Sequence, residues 1–591
     1  MNNSSGKLSL LRSAIHSAGI DAYIVPSTDP HIEEEVPDHW RIIEWLTGFT
    51  GSSANVIVTS SFAGLWTDSR YFIQAERELR GSGYRLMKPE TGSGGDLTDF
   101  LLESLDEGNV VGFDGKILSA IMFRKITRKL ERKKIKFISG CDLITDLWLD
   151  RPTVSSSPAF NHPLDFCGKS RERKISVVRE RMKRAGASWQ LLTASDDIMW
   201  LLNIRGNDLK FSPLVDSFSL VGEDQVLLFI NEQKITPLLS SEFDKAGVVM
   251  LPYEAAYSMI PSATENSRVL LNASEVSVEI YNSISAKSEI IEDITIPASL
   301  KSIKNKTEIE NLVKVMVKDG VALIRFFYWV EDTGEKLSEN ALAEKLHEFR
   351  SMQADFLGPS FAPIVAFGEN SALPHYSPQH SPDTLIDEAG ILLIDSGGHY
   401  LGGTTDITRT ISTGSPSNEQ QRDFTLVLKG HIGLATAKFP SGTRGYQLDI
   451  LARKALWNSG MNYGHGTGHG IGFCLNVHEG PQSISPSDNK TVILPGMVIS
   501  NEPAIYREGK YGIRTENVMI CYEDEETEFG RFLKFDTISL CYIDKSLIDK
   551  SMLDTEEIDW INSYHFEVYE KISPHLSKEE KEWLSEKTAP L

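Results

Sequence analysis

The sequence predicts an α/β fold in the broad sense, α+β in its last part: two related α/β domains followed by a domain built on a repeated helix–helix–hairpin unit. Three observations predict it. At 591 residues the chain is several times longer than one hydrophobic core supports. One order of strands and helices recurs on either side of residue 150, and two helices followed by a hairpin occur twice after residue 297. A composition 41% hydrophobic and 9% aromatic supplies ordinary globular cores throughout.

In residues 1–150 a strand AYIVP begins at Ala22, and a helical stretch ends at Trp45-Leu46-Thr47-Gly48-Phe49. Strands ANVIVTS and AGLWTD and a basic helix near 122–135 follow. After the Pro/Ser-rich connector RPTVSSSPAF the order returns across 151–297: a helix at 169–185, strand QLLTAS, a helix through Trp200 to Asn203, then strands SFSLVGE and QVLLFIN. The third domain, 298–591, opens with Thr307 and Glu310 as a capping-box signature before a long helix carrying Ile309, Leu312, Val313, Met316 and Leu323. A second helix starts at Ser338, and GILLIDSGGHYLGGTTDITRT reads as a hairpin. Helices at 418–437, opening with Asn418 and Gln421, and at 446–459 lead to a second hairpin, MVISNEPAIYREGKYGIRTENVMI. A strand TISLCYI and a helix bearing Ile558, Ile561, Tyr564, Val568 and Ile572 close the chain.

A formal charge of -22 repels phosphate backbones and anionic lipid, so neither nucleic acid nor a membrane surface is an expected partner. The five cysteines are odd in number and lack a CxxC pair, which suits a reducing compartment. No apolar run is long enough for a signal peptide or a membrane span, and a cytoplasmic location is expected.

Each hairpin presents two carboxylates, Asp395 with Asp406 and Glu502 with Glu516. Asp395 ends the apolar run ILLI, where an isolated charge costs several kcal/mol unless a cation or hydrogen bonds compensate it. Between the hairpins lies GHGTGHGIG, with His465 and His469 four residues apart. Taken singly, each of these is an ordinary turn or loop residue. Together, four carboxylates and one imidazole balance two divalent ions, and their oxygen-rich character favours Mn²⁺, with Zn²⁺ or Co²⁺ as alternatives. Two ions about 3.5–4 Å apart can share and acidify a water.

The segments DSGGHYLGGTTDITRT, HGTGHGIGFCLNVHEGP, NEPAIY and GIRTENV resemble the pita-bread metallopeptidases: aminopeptidase P, prolidase and methionine aminopeptidase. GFTGSSANVIVT, WTDSRYFIQAE and IMWLLNIRGNDLKFSP extend the likeness to the two creatinase-like N-terminal domains of the three-domain cytosolic aminopeptidase P. That resemblance implies metal binding by Asp395, Asp406, His469, Glu502 and Glu516, with Asp406 and Glu516 bridging both ions and Glu502 as general base. It implies substrate-side roles for His375, His465 and His478, a place for Arg514 in the active-site hydrogen-bond network, and a substrate contact for Arg70. It also implies a homodimer and hydrolysis of the bond between an N-terminal residue and a following proline. Asn501 and Ala504 depart from the family pattern beside Glu502, which leaves the pocket shape there open. His380, His399 and His431 match no motif and are expected in solvent or hydrogen-bonded loops.

The chemistry suits proline. An Xaa-Pro bond has no N–H, so docking it through strand-like hydrogen bonds is poor, whereas a metal-activated hydroxide needs no such donor. The rival readings are a prolidase-type Xaa-Pro dipeptidase, a metal-free creatinase-like enzyme, and a non-catalytic binding protein on the same fold. The intact set of five candidate ligands weighs against the last two.

Overall fold

A computed structural model describes residues 4–89, 96–334, 336–380, 383–386 and 389–591. The chain divides into two compact units. One comprises Met1–Asn161, Lys169–Lys210 and Leu214–Pro297; the other comprises His162–Gly168, Phe211–Pro213 and Ala298–Leu591.

The first unit holds two six-stranded sheets. In one, Ala22–Pro26 lies antiparallel to Ala54–Thr59 and parallel to Val110–Phe113; Ala63–Thr67 and Arg85–Met87 extend one side and Lys136–Ile138 the other. In the second, Trp189–Leu192 takes the place of Ala22–Pro26, with Ser217–Gly222, Val226–Ile230 and Val248–Leu251 on one side and Arg268–Leu271 and Glu289–Glu292 on the other. Strand order and the pattern of parallel and antiparallel pairs are identical, so the recurrence read from sequence is a duplication of topology. Near-continuous apolar runs such as VLLFI are buried along their whole length because the sheet is covered on both faces.

Where the two halves of this unit meet, carboxylates are buried in excess of cations. Asp29 Oδ1 accepts the N–H groups of His31 (2.9 Å) and Glu33 (3.2 Å), while its Oδ2 has no hydrogen-bond partner among the described residues. Glu33 accepts the Ser195 N–H at 2.9 Å, and His31 is held between Thr193 O and the Tyr253 hydroxyl. Burial pushes Asp29 up to about 6, with Asp216 adding to the effect and His31 opposing it; burial and Asp208 do the same for Asp216, against Lys234. A carboxyl raised in the folded state binds more protons than its unfolded counterpart. Its stabilising effect is therefore present at low pH and is lost as pH rises from the ordinary carboxyl value to about 6. Asp29→Asn keeps the accepting oxygen and removes the charge. At about pH 7.5 it is expected to stabilise by about 1 kcal/mol, raising the first melting transition by about 2–4 °C, with a smaller gain at about pH 5. Calorimetry at the two pH values checks it, and an unchanged or lowered transition at the higher pH rules it out.

The second unit repeats two helices and a set of antiparallel strands. Lys306–Asp332 and Glu339–Ser351 precede the sheet of Ile364–Phe367, Ile391–Ser396 and Ile407–Ser412; Asn418–Ala435 and Gly445–Asn458 precede a six-stranded sheet centred on Val498–Asn501 and Asn517–Thr527. Three local expectations are corrected. The first helix is capped two residues early, by a reciprocal Asn305–Glu308 box rather than by Thr307 and Glu310, and helix Asn418–Ala435 is capped by Ser417 with Gln420 rather than by Asn418 with Gln421. In both cases an equally good capping side chain precedes the residue chosen. The second hairpin is nested: Ala504–Arg507 and Tyr511–Arg514 form a separate ribbon between the long strands. TISLCYI is not a strand beyond Thr537, where Gly530–Thr537 ends. Apart from the Ile538 N–H, which donates to Val518 O at 2.9 Å, its backbone is satisfied by side chains: Arg409 donates to the carbonyls of Cys541 and Tyr542, the Tyr564 hydroxyl donates to Ser539 O, and the Ile543 N–H donates to His565 Nε2.

Candidate metal centre

Asp395 is the fifth residue of Ile391–Ser396 and stands directly opposite Thr408 on Ile407–Ser412, the strand that Asp406 introduces. In the second half, Asn501 and Asn517 pair in register, so Glu502 and Glu516 leave the same end of two neighbouring strands. His469 sits on Gly468–Gly470, hydrogen-bonded between Glu479–Ile484 and Val498–Asn501. The glycines of this loop are required by close approach: a Cβ on Gly468 would lie 1.9 Å from Ser500 O, and one on Gly470 2.1 Å from Glu479 O. The two halves are joined by the Glu516 N–H donating to Thr408 O at 3.2 Å.

Asp406, His469 and Glu516 bring one ligand atom each within 4.8 Å of one another. His469 Nδ1 lies 3.0 Å from Gly470 O, a carbonyl that can only accept, so the proton belongs on Nδ1. Nε2, the nitrogen left over for a metal ion, faces Asp406 Oδ2 and Glu502 Oε1 at 3.4 Å each. A nitrogen and two carboxylate oxygens that close together need a positive charge between them, which a divalent cation would supply. Asp395 Oδ2 takes a 2.5 Å bond from Arg514 Nη2, and its buried Oδ1 has no hydrogen-bond partner among the described residues.

Charge crowding shows in the protonation equilibria. Burial raises Glu516 well above the ordinary carboxylate range, and Asp406, Glu502 and Asp395 add to it. Burial raises Glu502 to about 7 against the pull of His469 and Arg514. Asp395 is raised by burial and Asp406 despite Arg514. Four gathered carboxylates, one imidazole nitrogen facing them and one orphaned oxygen fit a pair of divalent cations: hard oxygen donors dominate, and the negative charge outweighs the positive.

Arg514 extends beyond Asp395. Its Nε donates to Thr408 Oγ1 (3.1 Å), whose own proton goes to Glu516 Oε2 (2.7 Å), and its Nη1 donates to the Tyr506 hydroxyl (2.5 Å). Tyr506 in turn bonds His465 Nε2 at 2.9 Å, while His465 Nδ1 donates to Gly466 O at 2.7 Å. His465 Nδ1 is 4.0 Å from Glu502, and the His478 ring stands edge-on to His469 with centroids 4.4 Å apart. His375 is half-buried and follows the short helix Gly368–Ala372, which is tied to Arg514's strand by the Gly512 N–H donating to Ser371 Oγ at 2.7 Å. Arg70 belongs to the first unit, where Asp68 (2.8 Å) and Glu34 (3.6 Å) engage it.

Thr408 and Tyr506 were not singled out from sequence. Thr408 could have been, since it lies two residues from Asp406 and strand alternation puts both on one face. The departure at Asn501 is explained by the same alternation: its side chain turns away from Glu502 and donates to His431 O at 2.9 Å. Two of the unassigned histidines are not loop residues. His399 is buried on Gly398–Tyr400 between Thr404 and Phe211 O, and His431 is buried in a helix, bonded by Asn517. The side chain of His380 lies outside the described set.

Family models agree with this layout. Residues 310–523 match metallopeptidase family M24 and 531–591 its C-terminal region, while 7–147 and 150–308 each match the creatinase/prolidase N-terminal domain. The chain is 37% identical over 607 residues to a probable Xaa-Pro aminopeptidase P of Laccaria bicolor, covering 100% of this chain and 94% of that one. The chain belongs to metallopeptidase family M24. A second relative of this M24 peptidase, Xaa-Pro aminopeptidase app-1 of Caenorhabditis elegans, is 36% identical with 99% of both chains covered. The crystal structure of X-prolyl aminopeptidase from Caenorhabditis elegans, a cytosolic enzyme with a di-nuclear active site, superposes with a TM-score of 0.95 at 35% identity over 100% of both chains.

Proposed function

We propose that this M24 peptidase is an Xaa-Pro aminopeptidase that releases the N-terminal residue from peptides with proline second. In this reading Asp395, Asp406, His469, Glu502 and Glu516 hold two divalent ions, manganese being favoured by the oxygen-rich donor set. The observation that carries it is His469 Nε2 aimed into a group of buried carboxylates, with Asp406, His469 and Glu516 each bringing a ligand atom within 4.8 Å of the others.

Bound there, the ions supply Lewis acidity to a shared water and to the scissile carbonyl. The protein's own groups do the rest. Glu502 is assigned to take a proton at its carboxylate and to deliver it to the proline nitrogen, which has none of its own. His478 and His375 are assigned to the charge that develops on the carbonyl oxygen. His465, engaged by Tyr506 and Gly466, borders the same carboxylate, and Arg514 fixes Asp395 and, through Thr408, Glu516. The assignment of Arg70 to the substrate rests on the family resemblance.

The three-domain division at residues 150 and 297 belongs to this proposal, as does a cytoplasmic location. Among the described residues no helix is long and apolar enough to cross a membrane. A homodimer is assigned to the second unit, where Tyr446, Ile450 and Trp457 share one face of helix Gly445–Asn458 and stay 39%, 50% and 48% exposed. Sedimentation equilibrium giving the mass of a single chain would remove it.

The decisive assay strips the protein with a chelator, restores Mn²⁺, Co²⁺ or Zn²⁺ separately, and offers peptides beginning Arg-Pro-Pro beside Xaa-Pro dipeptides. Release of the first residue from the longer peptides, lost on chelation and recovered best with Mn²⁺, is expected. Cleavage confined to dipeptides would make the enzyme a prolidase.

A further inference from the structure

Beneath the glycine-rich loop lies a polar cluster that takes no part in the site described above. Arg453, on helix Gly445–Asn458, is 1% exposed, and four of its N–H groups are spent on fixed acceptors. Nε donates to Asp449 Oδ2 (2.6 Å), Nη1 to Asn462 Oδ1 (3.0 Å) and Tyr463 O (2.7 Å), and Nη2 to His465 O (2.7 Å). The guanidinium also stacks 3.8 Å from the Tyr463 ring centroid. The other oxygen of Asp449 accepts the Thr467 hydroxyl at 2.6 Å, which leaves the Tyr463 hydroxyl to donate to Thr467 Oγ1 at 2.5 Å. The Thr467 carbonyl then accepts the Glu502 N–H at 2.7 Å.

A buried ion pair adds little to stability beyond what apolar side chains of the same size would add; what it does add is geometric definition, because each charge must keep its bonds. Residues 464 and 466 are glycines, with no side chain to anchor the loop between them. Besides the His465 ring on Tyr506 and the Thr467 N–H donating to Ile484 O at 2.8 Å, the loop is held by the carbonyls of Tyr463 and His465 and by the Thr467 hydroxyl, and these three bonds converge on Arg453 and Asp449. Any shift of Thr467 is passed to Glu502 through a backbone hydrogen bond, and any shift of Arg453 is passed to His465 through its carbonyl.

We propose that Asp449, Arg453 and Thr467 form a rail of positioning residues that fixes His465 and Glu502 for the reaction. The inference rests on the roles given to those two residues under the proposed function. None of the three touches substrate or metal in this assignment; they act through the loop and through the start of the Glu502 segment.

The test uses the full-length, metal-loaded protein and the near-isosteric Thr467→Val, with Thr467→Ser as its conservative counterpart. Steady-state kinetics on an Xaa-Pro tripeptide, bound-metal content and amide hydrogen exchange of peptides covering 462–470 and 500–504 are compared. Thr467→Val is expected to lower kcat about tenfold or more, since displacements of an ångström carry such penalties. KM should move by less than about threefold, metal content should be unchanged, and exchange in both peptides should accelerate. Thr467→Ser is expected to recover most of kcat and the slow exchange. Asp449→Asn should reproduce the Val phenotype, and the double variant should lose little more than either single one, because both cut the same path. If Thr467→Val does not fold, Asp449→Asn supplies the same readouts. Turnover within about twofold of wild type together with unaltered exchange in a folded variant would overturn the rail. Wild-type protein that cleaves no Xaa-Pro peptide would overturn the proposed function instead, and the exchange comparison between Val and Ser would still decide whether the rail exists.

Discussion

Glu502→Gln is expected to lower kcat/KM at least about a thousandfold, the largest single loss at this site. General-base removal alone accounts for about 10²–10⁴-fold. Here the same carboxylate is also a candidate ligand: Oε1 stands 3.4 Å from His469 Nε2 and accepts the Ser500 hydroxyl at 3.2 Å. The amide keeps size and shape but offers one neutral oxygen in place of a charge, so metal affinity falls along with proton transfer. Fold should survive, because the amide removes a charge whose burial, with repulsion from neighbouring carboxylates, raises Glu502 and Glu516 in the metal-free chain. Activity assays with metal analysis and a melting curve check it. A variant that retains both wild-type turnover and wild-type metal content would take Glu502 out of the chemistry.

His478→Ala and His375→Ala are each expected to cost about 10²–10³-fold in kcat, the penalty for losing one oxyanion donor in other hydrolases. For His478 the placement is direct, its ring edge-on to His469 at 4.4 Å between centroids. An oxyanion donor acts in the transition state, so kcat and kcat/KM should fall together while KM stays near its wild-type value. Near-wild-type turnover in either variant would remove that histidine from the mechanism. Metal content separates this outcome from an indirect one, since loss of His478 packing could also loosen His469.

Much of the architecture was legible because it is written in local periodicity. Apolar runs such as AYIVP and VLLFI announce strands, and the recurrence of element order across residue 150 announced the paired sheets of the first unit. Local reading failed where two local solutions were equally good or where a tertiary partner intervened. The caps at Asn305 and Ser417 lost to a neighbour two residues or one residue on, since Asn, Ser and Thr cap comparably. The segment after Thr537 has strand composition, yet most of its backbone bonds go to side chains of Arg409, Tyr564 and His565, residues 22 or more positions away. Nothing in the seven residues themselves foretells that.

The same boundary runs through the site. By itself the sequence determined which chemistry-bearing residues exist and roughly where they stand: Asp395 at the end of an apolar strand, His469 in a glycine loop, Glu502 and Glu516 in one hairpin region, where the structure sets them just beyond Val498–Asn501 and just before Asn517–Thr527. Only the tertiary structure decided their electrostatics. Arg514 reaches Asp395 across 119 positions, and Thr408 reaches Glu516 across 108. The orientation of the His469 ring is set by a carbonyl one residue away, but the carboxylates that its Nε2 faces come from elsewhere in the chain. Side-chain periodicity is a property of a few consecutive residues, whereas the energy of a buried charge depends on every group packed around it, wherever in the chain that group originates.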